Sequence, residues 1–469
     1  MSRLEHPGYR AALVVVERLR QHGYEAVLAG GCVRDLLLGI APKDFDVATN
    51  ARPAQVQQTF AHTNAIGAHF GVVQVVVQID GERVPTEVAT FRHDAAYSDG
   101  RRPDEVAYSD SAEEDVARRD FTINGMLLDV ESFERGEALD ACVVDFCGGV
   151  ADLRAGIVRA IGDPLRRFGE DKLRLLRAAR FAARFGFVIE PKTFAAMQLE
   201  AAQIHQVSQE RIAAELTGIL TQGQARRGFE LLDASGLLAQ VLPEIAAMHG
   251  VEQPPQFHPE GDVFTHTMML LDHLPAGASP TLAWGMLLHD VGKPATFTPP
   301  NPAKPGDRIR FNGHAERGVE IARGILNRLR FSSDAKEQVL ALIAHHMHFG
   351  DVEKMRPATL KRFLRMPRFD EHLALHYADA MSAHGELGAY RHAKQHYEHL
   401  ADEELRPALL ITGRELIARG MKPGPRFKQV LRDAEDAQLE GRFTTHEQAQ
   451  SWLAEYLCAP EASNETERQ

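Results

Sequence analysis

The sequence is poor in cysteine and has no long apolar run. Its four cysteines form no CxxC pair, so neither a disulfide framework nor a structural zinc site is expected. No apolar stretch approaches the roughly 20 residues that a membrane-spanning helix needs. The first ten residues lack the basic-then-apolar pattern of a secretory signal. These absences predict a protein of the reducing cytoplasm that does not span a membrane.

Positive charge is in deficit as well. The chain has 53 Lys and Arg residues against 65 Asp and Glu, a net charge of −12, and such a surface disfavours non-specific binding to nucleic acid. Basic residues nevertheless concentrate between Arg154 and Arg184, and phosphate contacts are made by local patches rather than by the average charge. Acidic residues gather in Asp433–Glu440 and in the tail PEASNETERQ, which is predicted to be disordered.

The length of 469 residues predicts two to four domains. The first part combines short β-branched runs with amphipathic helices, and Asp80-Gly81 between two such runs predicts a hairpin. From about Leu153 onward helical periodicity dominates. The expected fold class is α+β, with a small mixed sheet followed by helices. Boundaries near 150, 250 and 407 predict four domains: 1–150, 151–250, 251–406 and 407–469.

A glycine pair is the first candidate binding element. Gly30 and Gly31 stand between the strand-like EAVLA and the helix-like VRDLLL, where backbone N–H groups at a helix start form a cradle for phosphates. A tight turn is the alternative explanation of the pair. The motifs GxxxxGK[ST] and GxGxxG are absent, which excludes a Walker A loop and a dinucleotide fingerprint.

Paired carboxylates follow in KDFDVAT. If this segment is a strand, Asp44 and Asp46 point to the same face, where their mutual repulsion favours a bound cation. Two magnesium ions held by such a pair serve two-metal phosphoryl transfer. Glu87, on the second strand of the hairpin, is a candidate third carboxylate. A solvated strand end is the alternative for the DxD pattern alone.

Five segments between residues 25 and 190 carry a family resemblance. GGCVRDLLLG, KDFDVAT, EVATFR, RRDFTINGM and FGEDKLRLLRAARF resemble, in order and interval, the class II CCA-adding enzyme and bacterial poly(A) polymerase family. The resemblance implies a polymerase-β-like nucleotidyltransferase head with an all-α neck and body. It also implies addition of nucleotides from CTP and ATP to the 3′ end of tRNA.

The resemblance also implies roles for individual residues. It implies that Gly30, Gly31 and Arg34 bind the triphosphate. Asp44 and Asp46 would bind two magnesium ions, and the catalytic carboxylates would be Asp44, Asp46 and Glu87. The motif RRDxxxN, which binds sugar and phosphates, is matched by Arg118, Arg119, Asp120 and Asn124. The motif EDxxRxxR is matched by Glu170, Asp171, Arg174 and Arg177. In the family its Asp and first Arg hydrogen-bond the incoming base.

The spacing of the last motif agrees with that role. Asp171 and Arg174 are three apart on a predicted helix and therefore share a face. They offer an acceptor beside donors, which complements the edge of cytosine or adenine. An intrahelical ion pair worth about 0.3–0.5 kcal/mol is the alternative. Arg177, Arg180 and Arg184 continue the stripe toward the RNA backbone, and solvated helix arginines are the alternative for the last two.

Histidines and aspartates in the second half form another ordered set. It comprises His266, His289, Asp290, His314, His345, His346 and Asp379. The set resembles the HD metal-dependent phosphohydrolase superfamily over roughly 255–385, and imidazoles and carboxylates from separate helices are suited to divalent ions. The alternative is a degenerate HD fold retained for packing.

Two HD metal positions are expected from these residues. The first would use His266, His289, Asp290 and Asp379. The second would use His314 with one of His345 or His346, because adjacent helical residues diverge by about 100°. Lys293 is a candidate phosphate contact. Ni, Mn, Co and Fe remain open as the metal.

Two further segments bear on the substrate. DAAYSDGRRPDEV resembles the complete flexible loop that CCA-adding enzymes use when switching from CTP to ATP, and the chain ends acidic where poly(A) polymerases carry a basic extension. Both features favour CCA addition over poly(A) synthesis, which is the alternative.

The last helical segment, from ITGRELIARG onward, resembles the tail of HD-containing CCA enzymes. A hydrolase with a non-catalytic RNA-binding head is the alternative of another class, and the paired carboxylates argue against it.

Overall fold

The computed structural model describes residues 6–64, 71–94, 106–400, 405 and 407–458. The loop expected to switch between CTP and ATP falls mostly in 95–105, and the acidic tail in 459–469, so both predictions lie outside the described residues. None of the described helices is both long enough and apolar enough to cross a membrane.

The chain forms two compact units. The first comprises Met1–Ala247, Pro275–Pro280 and Ile325–Phe331, and the second comprises Met248–Leu274, Thr281–Gly324 and Ser332–Gln469. The division into four domains at 150, 250 and 407 stays a prediction.

The first unit contains the described strands of the sheets. They are β1 (Ala26–Ala29), β2 (Val47–Thr49), β3 (Thr63–Asn64), β4 (Val72–Ile79), β5 (Glu82–Thr90), β6 (Arg92–Asp94), β7 (Val106–Tyr108), β8 (Leu127–Leu128), β9 (Val143–Val144), β10 (Ile157–Val158) and β11 (Val188–Ile189). Seven of them form one sheet in the order β3-β4-β5-β2-β1-β8-β9. Within it β2 and β5 are parallel and the other neighbours antiparallel, which confirms the predicted mixed sheet.

Thirteen described helices accompany these strands. They are α1 (Pro7–Gln21), α2 (Gly31–Leu37), α3 (Pro53–Thr59), α4 (Ala112–Ala117), α5 (Val130–Glu134), α6 (Gly149–Ala155), α7 (Pro164–Glu170), α8 (Leu173–Phe185), α9 (Pro191–Glu200), α10 (Gln209–Thr221), α11 (Ala225–Ala234), α12 (Leu237–Val241) and α13 (Pro243–Ala246). Short 3-10 helices span Thr122–Asn124, Leu139–Cys142 and Ala201–Gln206. From α6 onward helices predominate, as the periodicity predicts.

The remaining described helices lie mainly in the second unit. They are α14 (Val263–Leu271), α15 (Pro280–Leu288), α16 (Lys293–Thr296), α17 (His314–Arg328), α18 (Ser333–His345), α19 (Pro357–Leu364), α20 (Phe369–Ser382), α21 (Gly388–His399), α22 (Gly413–Ala418), α23 (Pro425–Leu439) and α24 (His446–Cys458). A 3-10 helix, His346–Lys354, follows α18 directly. The predicted α+β class, with a mixed sheet first and helices afterwards, is confirmed.

The predicted hairpin is present. Strands β4 and β5 pair antiparallel from Val72↔Ala89 to Ile79↔Glu82. Asp80 and Gly81 between them have φ of 50° and 87°, the left-handed pair that a two-residue hairpin requires. The turn therefore fixes the register that carries Glu87 to its place in the sheet.

Two local predictions are wrong. The segment KDFDVAT is not a strand throughout, since β2 begins only at Val47 and both aspartates precede it. Phe45 between them is buried against the ring of Tyr9, with centroids 5.3 Å apart. Burial of this ring in the core, rather than strand alternation, holds the segment in place.

Asp171 does not share a helix with Arg174. It ends α7 in an extended conformation, φ −146° and ψ 107°, and α8 starts at Leu173. The Oδ1 atom of Asp171 accepts a hydrogen bond from the Leu173 N–H at 3.0 Å. Aspartate favours such capping positions over helix interiors because its side chain competes for backbone N–H groups.

Helix α8 is the element that joins core and site. It ends at Gly186, whose φ of 69° is left-handed, the conformation in which glycine commonly ends a helix. One face buries Leu175, Leu176 and Ala179, and each fully buried leucine contributes about 1.5–3 kcal/mol. Its arginines recur every three or four residues and line one cavity: Arg174, Arg177, Arg180 and Arg184.

Candidate active sites

Gly30 makes the turn from β1 into α2. Its φ of 76° is left-handed, and a Cβ at this position would lie 2.9 Å from Nη1 of Arg119. The backbone conformation requires glycine here, and a side chain would also displace the guanidinium of Arg119. Gly31 opens α2, and both glycines line a cavity of about 490 Å³.

Two of the three predicted carboxylates meet at the edge of this cavity. The parallel register Val47↔Val88 makes the preceding residues, Asp46 and Glu87, neighbours, and both line an adjoining cavity of about 230 Å³. Partial enclosure, followed by the charges of Glu87 and Asp44, raises the pKa of Asp46 to about 6. A cluster of carboxylates that raises one member's pKa is a donor set suited to a divalent cation.

Asp44 and Asp46 are both exposed, but only Asp46 lines the two cavities, and Asp44 lies outside their walls. Its charge still reaches Asp46. Among the described residues, every group of three or more possible metal ligands whose donor atoms all lie within 4.8 Å of one another belongs to the second unit. The donor atoms of Asp44, Asp46 and Glu87 therefore do not all lie within that distance of one another.

The 490 Å³ cavity is strongly basic. Eight arginines line it against three aspartates, and thirteen of the lining residues were identified from the sequence. The charged residues are Arg34, Arg118, Arg119, Arg174, Arg177, Arg180, Arg184, Arg211, Asp46, Asp120 and Asp171. Guanidinium groups bind phosphate oxygens through two parallel hydrogen bonds, so the lining suits a polyphosphate.

Several of these arginines form ion pairs with buried acidic residues that the sequence analysis missed. Asp115 is 1% exposed and accepts from Arg118 at 2.7 Å and from Arg119 at 3.0 Å. Burial alone would raise the pKa of Asp115, but the charges of the two arginines hold it below its usual range. Its position three and four residues before them is a helical pairing signal that was available in the sequence.

Asp35 has a similar role on α2. Its Oδ1 accepts from Arg34 at 2.7 Å and its Oδ2 from Arg184 at 3.2 Å. The guanidinium of Arg34 also stacks over the Phe185 ring, 4.7 Å from its centroid. The partners Arg184 and Asp35 are 149 residues apart, so no local pattern could reveal them.

Asp120 anchors the next group. It is 8% exposed, accepts from Asn124 Nδ2 at 3.0 Å and from Arg177 Nε at 2.7 Å. Burial alone would raise the pKa of Asp120, but the charge of Arg177 and hydrogen bonds from Asn124 and Arg177 lower it to about 2. Asn124 in turn accepts from Arg34. Asp120 is therefore ionised and fixes both neighbours.

Asp171 and Arg174 line the same cavity but bind other partners. Nη1 of Arg174 donates to the Glu170 carboxylate at 2.9 Å and to the Arg167 carbonyl at 2.8 Å. The acidic partner of Arg174 is thus Glu170, the last residue of α7, and not Asp171. Asp171 instead accepts from Nη2 of Arg211 at 2.8 Å. Arg211, on α10, is a lining residue that the sequence analysis missed.

The second unit brings a buried metal-ligand set together. His266 on α14, His289 and Asp290 after α15, and Asp379 on α20 converge, with His266 Nε2 3.1 Å from Asp379 Oδ1. His289 Nε2 lies 3.1 Å from Asp290 Oδ2. The other oxygen of Asp290 lies 3.5 Å from His314 Nε2. His346 Nε2 is 3.1 Å from His314 Nε2, so Asp290 stands between two groups of donors.

The imidazoles are oriented by their second nitrogens. Nδ1 of His289, His314 and His346 lies 2.7–2.9 Å from a backbone carbonyl, that of Met286, Phe311 and Ile343 respectively. Nδ1 of His266 faces Glu260 at 2.7 Å. A ring that donates through Nδ1 offers the lone pair of Nε2 as a ligand. The donors and their orientation therefore fit divalent ions, with Asp290 between the two groups of donors.

His345 lies outside this set. Its Nδ1 is 3.2 Å from Nδ1 of His348. Lys293, the expected phosphate contact, is buried with Nζ 2.7 Å from Asp290. A cavity of about 840 Å³ adjoins the set and is lined by Lys293, His258 and Arg308 among others. Glu260, which orients His266, was not singled out from the sequence.

Known protein families match three parts of the chain. Residues 26–159 match the poly A polymerase head domain, residues 186–248 the probable RNA and SrmB-binding site of polymerase A, and residues 262–384 the HD domain. Nucleotidyltransferase heads and HD domains are metal-dependent families.

Similar proteins extend over most of the chain. It is 30% identical to the CCA-adding enzyme of Streptococcus mutans across 95% of this chain and 97% of that one. It is 34% identical to the multifunctional CCA protein of Nitrosococcus oceani, covering 85% and 94% respectively. The match to the CCA-adding enzyme of Limosilactobacillus fermentum is 40% identical but spans 52% of that protein.

A solved structure agrees in fold. The Bacillus stearothermophilus CCA-adding enzyme, solved in complex with CTP, superposes with a TM-score of 0.72, 25% identity and coverage of 96% and 98%. Near-full-length similarity, a head with paired carboxylates and basic cavity, and an HD ligand set agree with one another. The chain therefore belongs to the CCA-adding enzyme family.

Proposed function

We propose that the chain is a CCA tRNA nucleotidyltransferase. It adds C, C and A from CTP and ATP to the 3′ end of tRNA without a nucleic-acid template, and its HD part is a phosphohydrolase. The observation that carries the first activity is the eight-arginine cavity directly beside Asp46 and Glu87. A basic cradle next to paired acids is what transfer of a nucleotidyl group from a triphosphate requires.

In this proposal different residues of the cavity bind different parts of the nucleotide. Gly30, Gly31 and Arg34 bind the triphosphate, while Arg118, Arg119 and Asn124 contact sugar and phosphates. Asp115 and Asp120 fix the orientation of these groups before the substrate arrives. Preorganised donors stabilise developing charge without reorganising during the reaction.

The carboxylates hold the metal in the proposed mechanism. Asp44, Asp46 and Glu87 would bind Mg²⁺, which when bound lowers the pKa of the attacking 3′-hydroxyl and neutralises the leaving pyrophosphate. Partial enclosure and, after it, the charges of Glu87 and Asp44 raise the pKa of Asp46, and a bound cation would relieve the repulsion among these carboxylates. Arg177, Arg180 and Arg184 extend the basic face of α8, where we place the phosphates of the RNA end and the incoming nucleotide.

The test is nucleotide addition by the pure protein. With Mg²⁺ and a tRNA that lacks its 3′ CCA, labelled CTP should be incorporated first and ATP once afterwards. No incorporation from either nucleotide contradicts the proposal. Long A tails on unrelated RNA would reassign the chain as a poly(A) polymerase. We also propose that the protein acts in the cytoplasm.

The proposed phosphohydrolase rests on the second unit. His266, His289, Asp290 and Asp379 would hold one divalent ion, and His314 with His346 would hold a second. Bound ions of this type activate water and polarise a phosphoryl oxygen. Lys293, whose Nζ lies 2.7 Å from Asp290, would contact the phosphate. Metal analysis of the pure protein, with a phosphoester screen using Ni²⁺, Mn²⁺, Co²⁺ and Fe²⁺, tests this part.

We further propose four domains for these tasks. The head, 1–150, carries the carboxylates, and 151–250 carries the base-contacting and RNA-contacting helices. Residues 251–406 form the HD domain, and 407–469 a helical tail that assists in holding tRNA. Limited proteolysis that releases fragments ending near 150, 250 and 407 would support the division.

A further inference from the structure

Three histidines outside the HD ligand set lie close together in the second unit. His345 ends α18, His348 follows it in the 3-10 helix, and His372 lies on α20. The Nδ1 atoms of His345 and His348 are 3.2 Å apart. The ring centroids of His345 and His372 are 6.3 Å apart. His346 contacts His314 instead, so the adjacent residues His345 and His346 belong to different clusters.

His372 is the buried member of this cluster. It is 1% exposed, and among the described residues neither of its ring nitrogens has a hydrogen-bond partner. Unpaired polar groups are costly to bury, so this ring calls for a partner from outside the chain. Burial, followed by the charges of His345 and His348, lowers the pKa of His372 to about 4. The ring is therefore neutral at pH 7 and has a lone pair, which is the form of imidazole that binds a metal.

The spacing of the other two rings suits a shared ion. Two imidazole nitrogens that bind one tetrahedral zinc ion lie about 3.3 Å apart, and the Nδ1 atoms of His345 and His348 are 3.2 Å apart. An N–H···N hydrogen bond explains that distance as well, but it leaves His372 without a partner. A ligand shared by the three rings accounts for both observations.

We propose that His345, His348 and His372 bind one divalent transition-metal ion at a site separate from the HD ligand set. Three imidazole nitrogens favour Zn²⁺, Co²⁺ or Ni²⁺ over Mg²⁺ and Ca²⁺, which prefer oxygen ligands. A water molecule would supply the fourth ligand of a tetrahedral ion.

Binding requires a small closure of the cluster. The three donor atoms do not all lie within 4.8 Å of one another. The centroid distance of 6.3 Å between His345 and His372 also exceeds the 5.5 Å between His266 and His289 in the HD set. The ion would therefore draw α20 toward the end of α18, while the exposed ring of His348 turns to meet it.

This closure joins two elements that carry HD ligands. His346 follows His345 directly, and Asp379 lies about two turns after His372 on α20. An ion bound by the cluster would fix α20 against the end of α18 and thereby set the distance between these two HD donors. Its role is therefore structural.

Equilibrium dialysis of the full chain against Zn²⁺ counts the ions bound per chain. His348→Ala removes one donor at an exposed position, so it should fold normally and bind one zinc ion fewer than wild type. His399→Ala is the matched control, because it removes an exposed histidine of α21 outside the cluster, and it should bind as many ions as wild type. Adding His348→Ala to His289→Ala, which already lacks an HD donor, should still remove one ion.

A second variant tests the buried ring. His372→Leu removes two unpaired nitrogens and keeps an apolar side chain of similar size, so without metal it should be at least as stable as wild type in thermal unfolding. Zn²⁺ should raise the Tm of His289→Ala but not that of His289→Ala carrying His372→Leu. If His372→Leu does not fold, His348→Ala decides the matter.

Two results would overturn the proposal. Equal zinc binding by His348→Ala and wild type would show that water and a hydrogen bond between the rings satisfy the cluster. Loss of more than one ion from His348→Ala would assign these histidines to the HD ligand set rather than to a separate site.

Discussion

At the scale of single residues, the buried acids of the basic cavity decide how its arginines are presented. Asp120, Asp115 and Asp35 are all nearly buried, and each accepts from arginines that line the cavity. Removing one partner of such a buried ion pair leaves an uncompensated charge and is strongly destabilising. The same residues therefore support both stability and substrate binding.

Asp120 should make folding stability depend on acid pH. Its pKa is lowered from 3.8 to about 2 in the folded protein, so its stabilisation is complete above pH 3.8 and is lost as pH falls through 2. The shift corresponds to about 2 kcal/mol. Urea unfolding of wild type and Asp120→Asn should show a gap in stability at pH 5 that shrinks toward pH 2. A gap that is constant with pH contradicts this assignment.

Gly30 should tolerate no side chain for two separable reasons. Its left-handed φ makes alanine unfavourable by about 1–2 kcal/mol, and the new Cβ would displace Arg119. Gly39 has a similar φ of 70° with open space around it. Both alanine variants should lose stability, but only Gly30→Ala should raise KM for the nucleotide. A raised KM in both would show that backbone strain, not Arg119, is responsible.

At the scale of elements, sequence reasoning succeeded where the signal was local. The Asp80-Gly81 hairpin and the end of α8 at Gly186 were both predictable, because turn and cap chemistry depend on a few adjacent residues. The order of the site residues along the chain was also available. What was not available were boundaries set by packing, such as the start of β2 after the buried Phe45.

Long-range partners were out of reach for the same reason. Arg211 meets Asp171 across 40 residues, and Arg184 meets Asp35 across 149. Neither pairing produces a periodic pattern in the sequence. Each HD ligand was identified from the sequence. The sequence did not show which of His345 and His346 joins the ligand set, because α18 ends at His345 and a 3-10 helix begins at His346.

The junction of α15 and α17 should be intolerant of a single methyl group. A Cβ at Gly292 would lie 2.0 Å from the His314 carbonyl and 2.6 Å from the Gly318 nitrogen, both on α17. Gly292→Ala must therefore shift α17 and with it His314. We expect loss of metal from the HD site, measured as metal per chain after dialysis. Gly324→Ala, on the same helix with open space at its Cβ, should retain full metal content.

At the scale of the whole molecule, the two sites lie in separate compact units. The residues of the basic cavity all belong to the first and the HD ligands all to the second. Separate cores predict activities that can be removed one at a time.

Paired substitutions test this independence. Asp46→Ala should abolish nucleotide addition and leave metal content and phosphoester hydrolysis of the HD site intact. His289→Ala should do the reverse, because it removes one Nε2 donor from the ligand set. Asp44→Ala should have the same effect as Asp46→Ala. Loss of both activities in any of these variants, with the protein still folded, would refute two independent sites.

The order of strands has a consequence for how the head is assembled during synthesis. Strand β1 is flanked by β2 on one side and by β8, residues 127–128, on the other, so one edge of β1 stays open until that segment has left the ribosome. The parallel pairing of β2 with β5 also closes a loop of about forty residues, which is slow relative to hairpin formation. A nascent chain halted between the hairpin and β8 would expose an unpaired, apolar strand edge, and it is this intermediate that requires protection from aggregation.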